Sequence, residues 1–313
     1  MRVVVLSGGS GTGIGFETAV SLCSSGARVI LVCRNATRAQ AAVAQIQQRT
    51  RYGSIEYVLG DLESVESVHH VARAIRERTQ RVNVLVHNAG ILYFGADELC
   101  ANGVERALAV NHIGPLLLNK LVAPLLLRSA RENGAARIVH VSSSAHHKGA
   151  WRLGAHCNPQ QIRNMTQTPT PKYKNPIKRW LFNGYWRYAD SKLFQLMSAI
   201  AFQESLSGKD AERIRTVCVH PGLVRSEIFD KIALMQPVLH LFPWLYISPR
   251  QAAEYVSAAC ISDDTSVLPS SQMRWTYLVR DKVSQVAACV RDPVRRQAVY
   301  HGSLQLVEHL GTK

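Results

Sequence analysis

Tyrosine and lysine stand four residues apart in Tyr188-Ala189-Asp190-Ser191-Lys192, a spacing that sets both on one face of a helix. A free phenol has a pKa near about 10, too high for easy proton exchange at neutral pH. A lysine ammonium on the same face, together with an oxidised nicotinamide ring, would favour the phenolate and lower that pKa. The pattern is frequent by chance, so its meaning rests on what surrounds it. Ser142-Ser143-Ser144 closes an apolar run and offers a hydroxyl to a carbonyl oxygen, though two of the three also suit an ordinary polar strand end. Asn111, within an apolar helix, either satisfies backbone groups or holds a water.

A second set of residues suits phosphate. Gly8-Gly9-Ser10-Gly11-Thr12-Gly13-Ile14-Gly15 follows the apolar run Val3–Leu6. Glycine permits positive φ and leaves room beside the backbone, and the helix start that follows presents free N–H groups and a positive dipole end. Gly9, Gly13, Ile14 and Gly15 are the candidate nucleotide contacts. The next apolar run ends in Cys33-Arg34-Asn35. An acid here would bind the ribose 2′-hydroxyl of NAD, whereas arginine suits the 2′-phosphate of NADP by charge and shape. Arg34, with Arg38 behind it, therefore favours NADP(H) unless it is simply a solvated arginine. Asp61-Leu62 could meet the adenine amine, cap the helix that follows, or do both. In His87-Asn88-Ala89-Gly90, small residues would let a cofactor approach, and they also suit a tight turn.

The elements that must hold these groups alternate along the chain. Strands are expected at Val3–Leu6, Arg28–Cys33, Ser54–Leu59, Val82–His87, Arg137–Ser142 and Ile214–His220. Helices are expected at Thr18–Ser25 and near 36–49, 64–78, 104–128 and 186–206. Continuous β-branched runs alternating with helices predict an α/β fold, a doubly wound parallel sheet of Rossmann type. No linker divides residues 1–260, which are expected to form one catalytic domain. Residues 147–185 are too long for an ordinary connection and form an insertion before Tyr188. Residues 261–313 form a C-terminal extension, with helical spacing at Val283, Val286, Ala287 and Val290, expected to pack on the domain or on a partner subunit.

Taken together, these motifs resemble the short-chain dehydrogenase/reductase family over residues 1–260, and the wording around Cys33, Asn111 and Ser143 is similar to its retinol dehydrogenase-like branch. The resemblance implies that Tyr188 donates and accepts the proton, Lys192 holds the nicotinamide ribose and lowers the phenol pKa, Ser143 orients the carbonyl, and Asn111 supports Lys192 through a water. It also implies that Asn88, Ala89 and Gly90 border the cofactor, and that Pro221, Gly222, Val224 and Ser226 line the nicotinamide, with Ser226 where threonine is usual. Three features depart from the family pattern. Gly8-Gly9, or Ser7-Gly8 with an extra loop residue, replaces Thr-Gly; His87 replaces the first Asn of Asn-Asn-Ala-Gly; and Ser143 precedes Tyr188 by 45 positions, far more than is usual.

Residues 227–247, with Ile228, Phe229, Leu239, Phe242 and Trp244 among them, stand where the family carries a substrate-covering lobe. They point to a lipophilic carbonyl or alcohol of the retinoid, steroid or fatty aldehyde class, or else to core packing or a dimer contact. The insertion carries Lys172, Lys174, Lys178, Arg179, Trp180 and Tyr185, which suit either a membrane surface or a solvated loop. Lys+Arg 37 against Asp+Glu 22 gives +15, a field that attracts nucleotide phosphates, nucleic acid or acidic lipid. No nucleic-acid module appears, so no nucleic-acid partner is expected. The seven scattered cysteines show neither disulfide nor zinc spacing, so reduced thiols, no metal and a cytoplasmic setting are expected, with room for contact at an intracellular membrane surface. No leader and no membrane-spanning stretch is expected, and a homo-oligomer would fit the family. The alternative to a working enzyme is a low-turnover nucleotide sensor or membrane-surface protein that keeps the fold.

Overall fold

In the computed structural model, β1 (Val3–Ser7) sends Val3 and Val5 into one apolar layer and Val4 and Leu6 into the other. That alternation is why the sequence reads as an unbroken apolar run: both faces of the strand are covered. The structure describes residues 1–93, 98–149, 162, 176–209, 211–225, 246–262 and 274–311, with the backbone alone over 176–182. The chain continues through α1 (Ile14–Ser24), β2 (Arg28–Cys33), α2 (Ala36–Arg49), β3 (Ser54–Leu59), α3 (Val65–Arg78) and β4 (Val84–His87). A long helix follows, α4 (Arg106–Asn133), whose residues Ala109–Ile113 form a π-helical turn. Then come β5 (Ala136–Val141), α5 (Pro176–Ser205), β6 (Ile214–His220), α6 (Pro249–Ile261), β7 (Trp275–Val279), β8 (Lys282–Val283), α7 (Ala288–Arg291) and α8 (Pro293–Gly311).

The sheet order is β3-β2-β1-β4-β5-β6-β7-β8, parallel as far as β7. The chain reverses its direction of travel across the sheet between β1 and β4, the kind of switch point where such sheets open a crevice beyond the strand ends. One layer packs α1, α2 and α6 on the sheet. The other packs α3, α4, α5 and α8 on the opposite face. The doubly wound parallel α/β architecture is as the sequence predicts.

Several boundaries differ from the sequence reading. α1 begins at Ile14 rather than Thr18, because Gly13 at its N-cap lets the helix start straight from the glycine turn. α5 starts at Pro176, ten residues before the expected 186, and absorbs part of the 147–185 insertion. Two further strands come from the segment after 260: β7 lies parallel to β6, and β8 folds back on it. The helical spacing predicted from Val283 therefore fails at its first residue, since Val283 pairs with Leu278, and helix forms only from Ala288. Asp61 does not cap α3; Ser64 does, accepting from the Ser67 N–H at 3.2 Å. The sequence shows no uninterrupted spanning stretch, yet Arg106–Asn133 is long and apolar enough by composition to cross a membrane. Of its apolar window 72% is buried within the fold, where a core helix belongs. The six cysteines among the described residues are unpaired, and Cys157 lies outside them.

Candidate active site

The glycine turn leaves β1 with Gly8 at φ +72° and Gly9 at φ +153°, left-handed conformations that favour glycine. Gly15, the second residue of α1, lies against the Gly8 carbonyl and the Asn88 side-chain amide, where a Cβ would collide with both. Asn88 donates from Nδ2 to the carbonyls of Ser7 and Gly8, each at 3.2 Å, and so ties the end of β4 to the turn. Ser7, which the sequence reading did not single out, accepts from the Ala89 N–H at 3.2 Å. Between these segments lies a cavity of about 290 Å³. It runs from Arg34 and Arg38, past Asp61 and Leu62 and the glycine turn, to Asn88, Ala89, Gly90 and Val110. Arg34 is half-exposed and 3.8 Å from Glu63, which is itself held by Arg106 at 2.6 Å. Asp61 accepts from the Glu63 N–H at 3.0 Å, an arrangement that fixes its carboxylate at the cavity wall.

The cavity ends beside the candidate reacting groups. A Cβ on Gly90 would stand 3.3 Å from Asn111 Oδ1 and 3.5 Å from Lys192 Nζ. Asn111 sits in the π turn of α4, where an extra residue redirects side chains. Its Oδ1 accepts from the Ile91 N–H at 2.8 Å, and its Nδ2 donates to the Ile91 carbonyl at 3.0 Å and to Ser191 Oγ at 2.9 Å. Glu105, fully buried, starts this helix by accepting from the N–H groups of Ala107 and Leu108 at 2.8 Å, and it also accepts from the Tyr93 hydroxyl. Ser191 in turn donates to the Tyr188 carbonyl at 2.8 Å. Lys192 is buried and donates to the Val141 carbonyl at 2.8 Å and to Gln195 Oε1 at 3.2 Å. The Ser143 hydroxyl is hydrogen-bonded to Tyr188 and accepts from the Ala145 N–H at 3.2 Å, whereas Ser142 Oγ has no partner. The middle serine of the triplet is thus the one that meets the tyrosine. Ser191, Gln195 and Glu105 escaped the sequence reading. Only Ser191, lying between Tyr188 and Lys192, carried a signal that could have found it.

Burial raises the phenol of Tyr188 and outweighs the hydrogen bond from Ser143. The Lys192 ammonium ends on Val141 and Gln195 and lies 5.8 Å from the tyrosine ring centroid. Burial pushes Lys192 itself down to about 8.

After β6, Pro221 is buried and Gly222 takes φ +110°. Val224 is buried and bridges Ile247, with Arg225 and Ile247 donating across the same junction at 3.1 and 2.8 Å. The cavity wall around the glycine turn does not include these residues. Ser226, most of the 227–247 lobe and most of the 147–185 insertion lie outside the described residues.

Comparison with known proteins settles the family. The short chain dehydrogenase family model matches residues 2–157. Human retinol dehydrogenase 11 is 30% identical over 267 residues, covering 85% of this chain and 75% of that protein. Dehydrogenase/reductase SDR family member 13 of Bos taurus is 29% identical over 308 residues, 97% of this chain and 73% of its own. The chain belongs to the short-chain dehydrogenase/reductase family. Its likeness lies with the retinol dehydrogenase-like branch, as the motif wording predicts. The fold is shared with a Pseudomonas aeruginosa RhlG/NADP active-site complex at a TM-score of 0.62 and 22% identity, covering 89% of this chain and 94% of that one. As a member of this family the chain is an oxidoreductase that uses a nicotinamide cofactor. Its own residues fit that group. The cradle is closed to any Cβ at Gly15, the first residues of α1 line the cavity, and arginines stand at its far end.

Proposed function

We propose that the chain is an NADP(H)-dependent oxidoreductase acting on a lipophilic carbonyl or alcohol of the retinoid, steroid or fatty aldehyde class. The observation that carries this reading is the convergence of Tyr188, Ser143, Lys192 and Asn111 near the Gly90 end of the cavity beside the glycine turn. The bound cofactor supplies or takes up the hydride. Gly9, Gly13, Ile14 and Gly15 hold its phosphates, Arg34 the 2′-phosphate, Asp61 and Leu62 the adenine, and Asn88, Ala89 and Gly90 the neighbouring ribose. By the family resemblance Pro221, Gly222 and Val224 would line the nicotinamide side, and Ser226, outside the described residues, is assigned to the same role.

On reduction, Ser143 Oγ orients the substrate oxygen and Tyr188 Oη donates its proton as the carbonyl becomes an alcohol; oxidation runs the same proton back. The raised pKa keeps Tyr188 protonated at neutral pH, the form that reduction requires. Lys192 would hold the ribose, and Asn111 would support Lys192 through a water in a proton relay. The names of the relatives and the apolar 227–247 segment support the lipophilic substrate. Such a substrate partitions into bilayers, and the +15 charge would favour an anionic membrane surface. Salt-sensitive co-sedimentation with anionic vesicles supports that contact, and no binding in low salt removes it.

Thermal unfolding with NADPH, NADH or neither tests the cofactor assignment, because a ligand that binds only the folded state raises the midpoint. A larger shift with NADPH is expected. A larger shift with NADH overturns the role of Arg34, and no shift with either overturns the cofactor site.

A further inference from the structure

We propose that residues 274–311 position the reacting groups, acting through His146 and His112. The inference rests on the reading of Tyr188, Ser143, Lys192 and Asn111 given above.

His146 is fully buried just after β5. Its Nε2 accepts from the backbone N–H of Ala287 at 3.2 Å. A backbone amide can only donate, so Nε2 carries no hydrogen and the ring proton sits on Nδ1. Nδ1 then donates to the Ser143 carbonyl at 2.7 Å. One imidazole thus joins the segment after β8 to the backbone of the serine that meets Tyr188. Tyr277 of β7 packs edge-on against the same ring, with centroids 5.0 Å apart.

A second tie is independent of the first. His112, next to Asn111 in the π turn, shares a hydrogen bond at 2.8 Å between its Nε2 and Ser303 Oγ of α8, and both residues are buried. The turn around Asn111 is therefore fastened from outside by a side chain of α8. That helix also grips α5, which carries Tyr188 and Lys192: Arg296 bonds Glu204 at 2.6 Å, and the Tyr300 hydroxyl lies 3.3 Å from Ser205 Oγ. The segment makes directional contacts with all three elements that carry reacting residues. Small misplacements of reacting groups cost catalysis far more than they cost stability.

The test uses the full chain with Ser303→Ala, His146→Ala, His146→Asn, Tyr188→Phe and the exposed control Val294→Ala. Asparagine at 146 keeps a donor at the Nδ1 position for the Ser143 carbonyl. Unfolding midpoint, NADPH Kd by fluorescence titration, and kcat and KM with a long-chain aldehyde are read for each. His146→Ala is expected to lower kcat about 10- to 100-fold with NADPH Kd and KM within about twofold. Ser303→Ala is expected to lower it several-fold, His146→Asn to recover most of it, and Val294→Ala to change nothing. Wild-type kcat in Ser303→Ala and His146→Ala overturns the proposal. If His146→Ala does not fold, Ser303→Ala decides: wild-type kcat overturns the proposal, and reduced kcat at unchanged NADPH Kd supports it. A fall in kcat that merely follows the folded fraction, with no rescue by asparagine, also overturns it. A fully active Tyr188→Phe overturns the underlying reading of the site instead.

Discussion

Tyr188 and Lys192 divide the proton chemistry through their surroundings. Burial raises the phenol and lowers the ammonium to about 8, so at neutral pH both are held in the protonated form. Lys192 is the first of the two to lose its proton as pH rises. Reductive kcat/KM should accordingly be flat across neutral pH and fall as pH rises through about 8, with NADPH Kd weakening in parallel; a profile flat to pH about 10 would remove Lys192 from ribose binding. At the other end of the cavity, Arg34→Ala should weaken NADPH binding about 10- to 100-fold and leave NADH within about twofold, the loss of one charge-assisted contact. Isothermal titration with both nucleotides checks this. The Tyr-Lys pair, Asn111 and the serine triplet were legible because side-chain chemistry and spacing travel with the sequence. The choice of Ser143 was legible only through the resemblance, and the structure adds the hydrogen bond to Tyr188. The direction of the Tyr188 shift was not legible, because it is set by burial, which depends on how the elements pack around the phenol.

The elements position the site through close approach rather than through strong local preference. Gly15 touches the Gly8 carbonyl and Asn88, so Gly15→Ala forces the turn away from α1. It should lower stability by about 1–3 kcal/mol and abolish the NADPH-induced rise in unfolding midpoint. A substituted protein that still shows the full shift would contradict the cradle. The central strands β1, β2, β4, β5 and β6 were readable from continuous apolar, β-branched runs because they are covered on both faces. The start of α5 at Pro176 was not readable, since a run rich in lysine, asparagine and aromatics carries no helical signal of its own. Nor was the π turn of α4, an insertion in hydrogen-bonding pattern that leaves the apolar periodicity on either side unchanged. β7 and β8 were hidden by their position, a short strand and a two-residue one following the last expected crossover.

The whole molecule couples an excess of positive charge to a set of histidines kept neutral by burial. His87, His146 and His220 are pushed down to about 4 and His112 to about 3, while His140, stacked on His87, is also lowered. The unfolded chain takes up protons near pH 6.5, before the folded one, so their contribution is present above that pH and is lost as pH falls toward 4. Calorimetry should show the unfolding midpoint at pH about 5 lying more than about 5 °C below that at pH about 7.5. Equal midpoints would mean that the buried histidines titrate normally. The fold class was legible from alternation alone, whereas the role of residues 274–311 depends on contacts across more than a hundred positions, such as His146 to Ala287, that no local pattern records. The most direct test of the central claim is NADPH consumption on adding a long-chain aldehyde or retinal, comparing wild type with Tyr188→Phe at matched cofactor saturation. The account predicts turnover by the wild type and a loss of about 10²- to 10⁴-fold in the variant with unchanged NADPH affinity. Equal rates from the two proteins would contradict it.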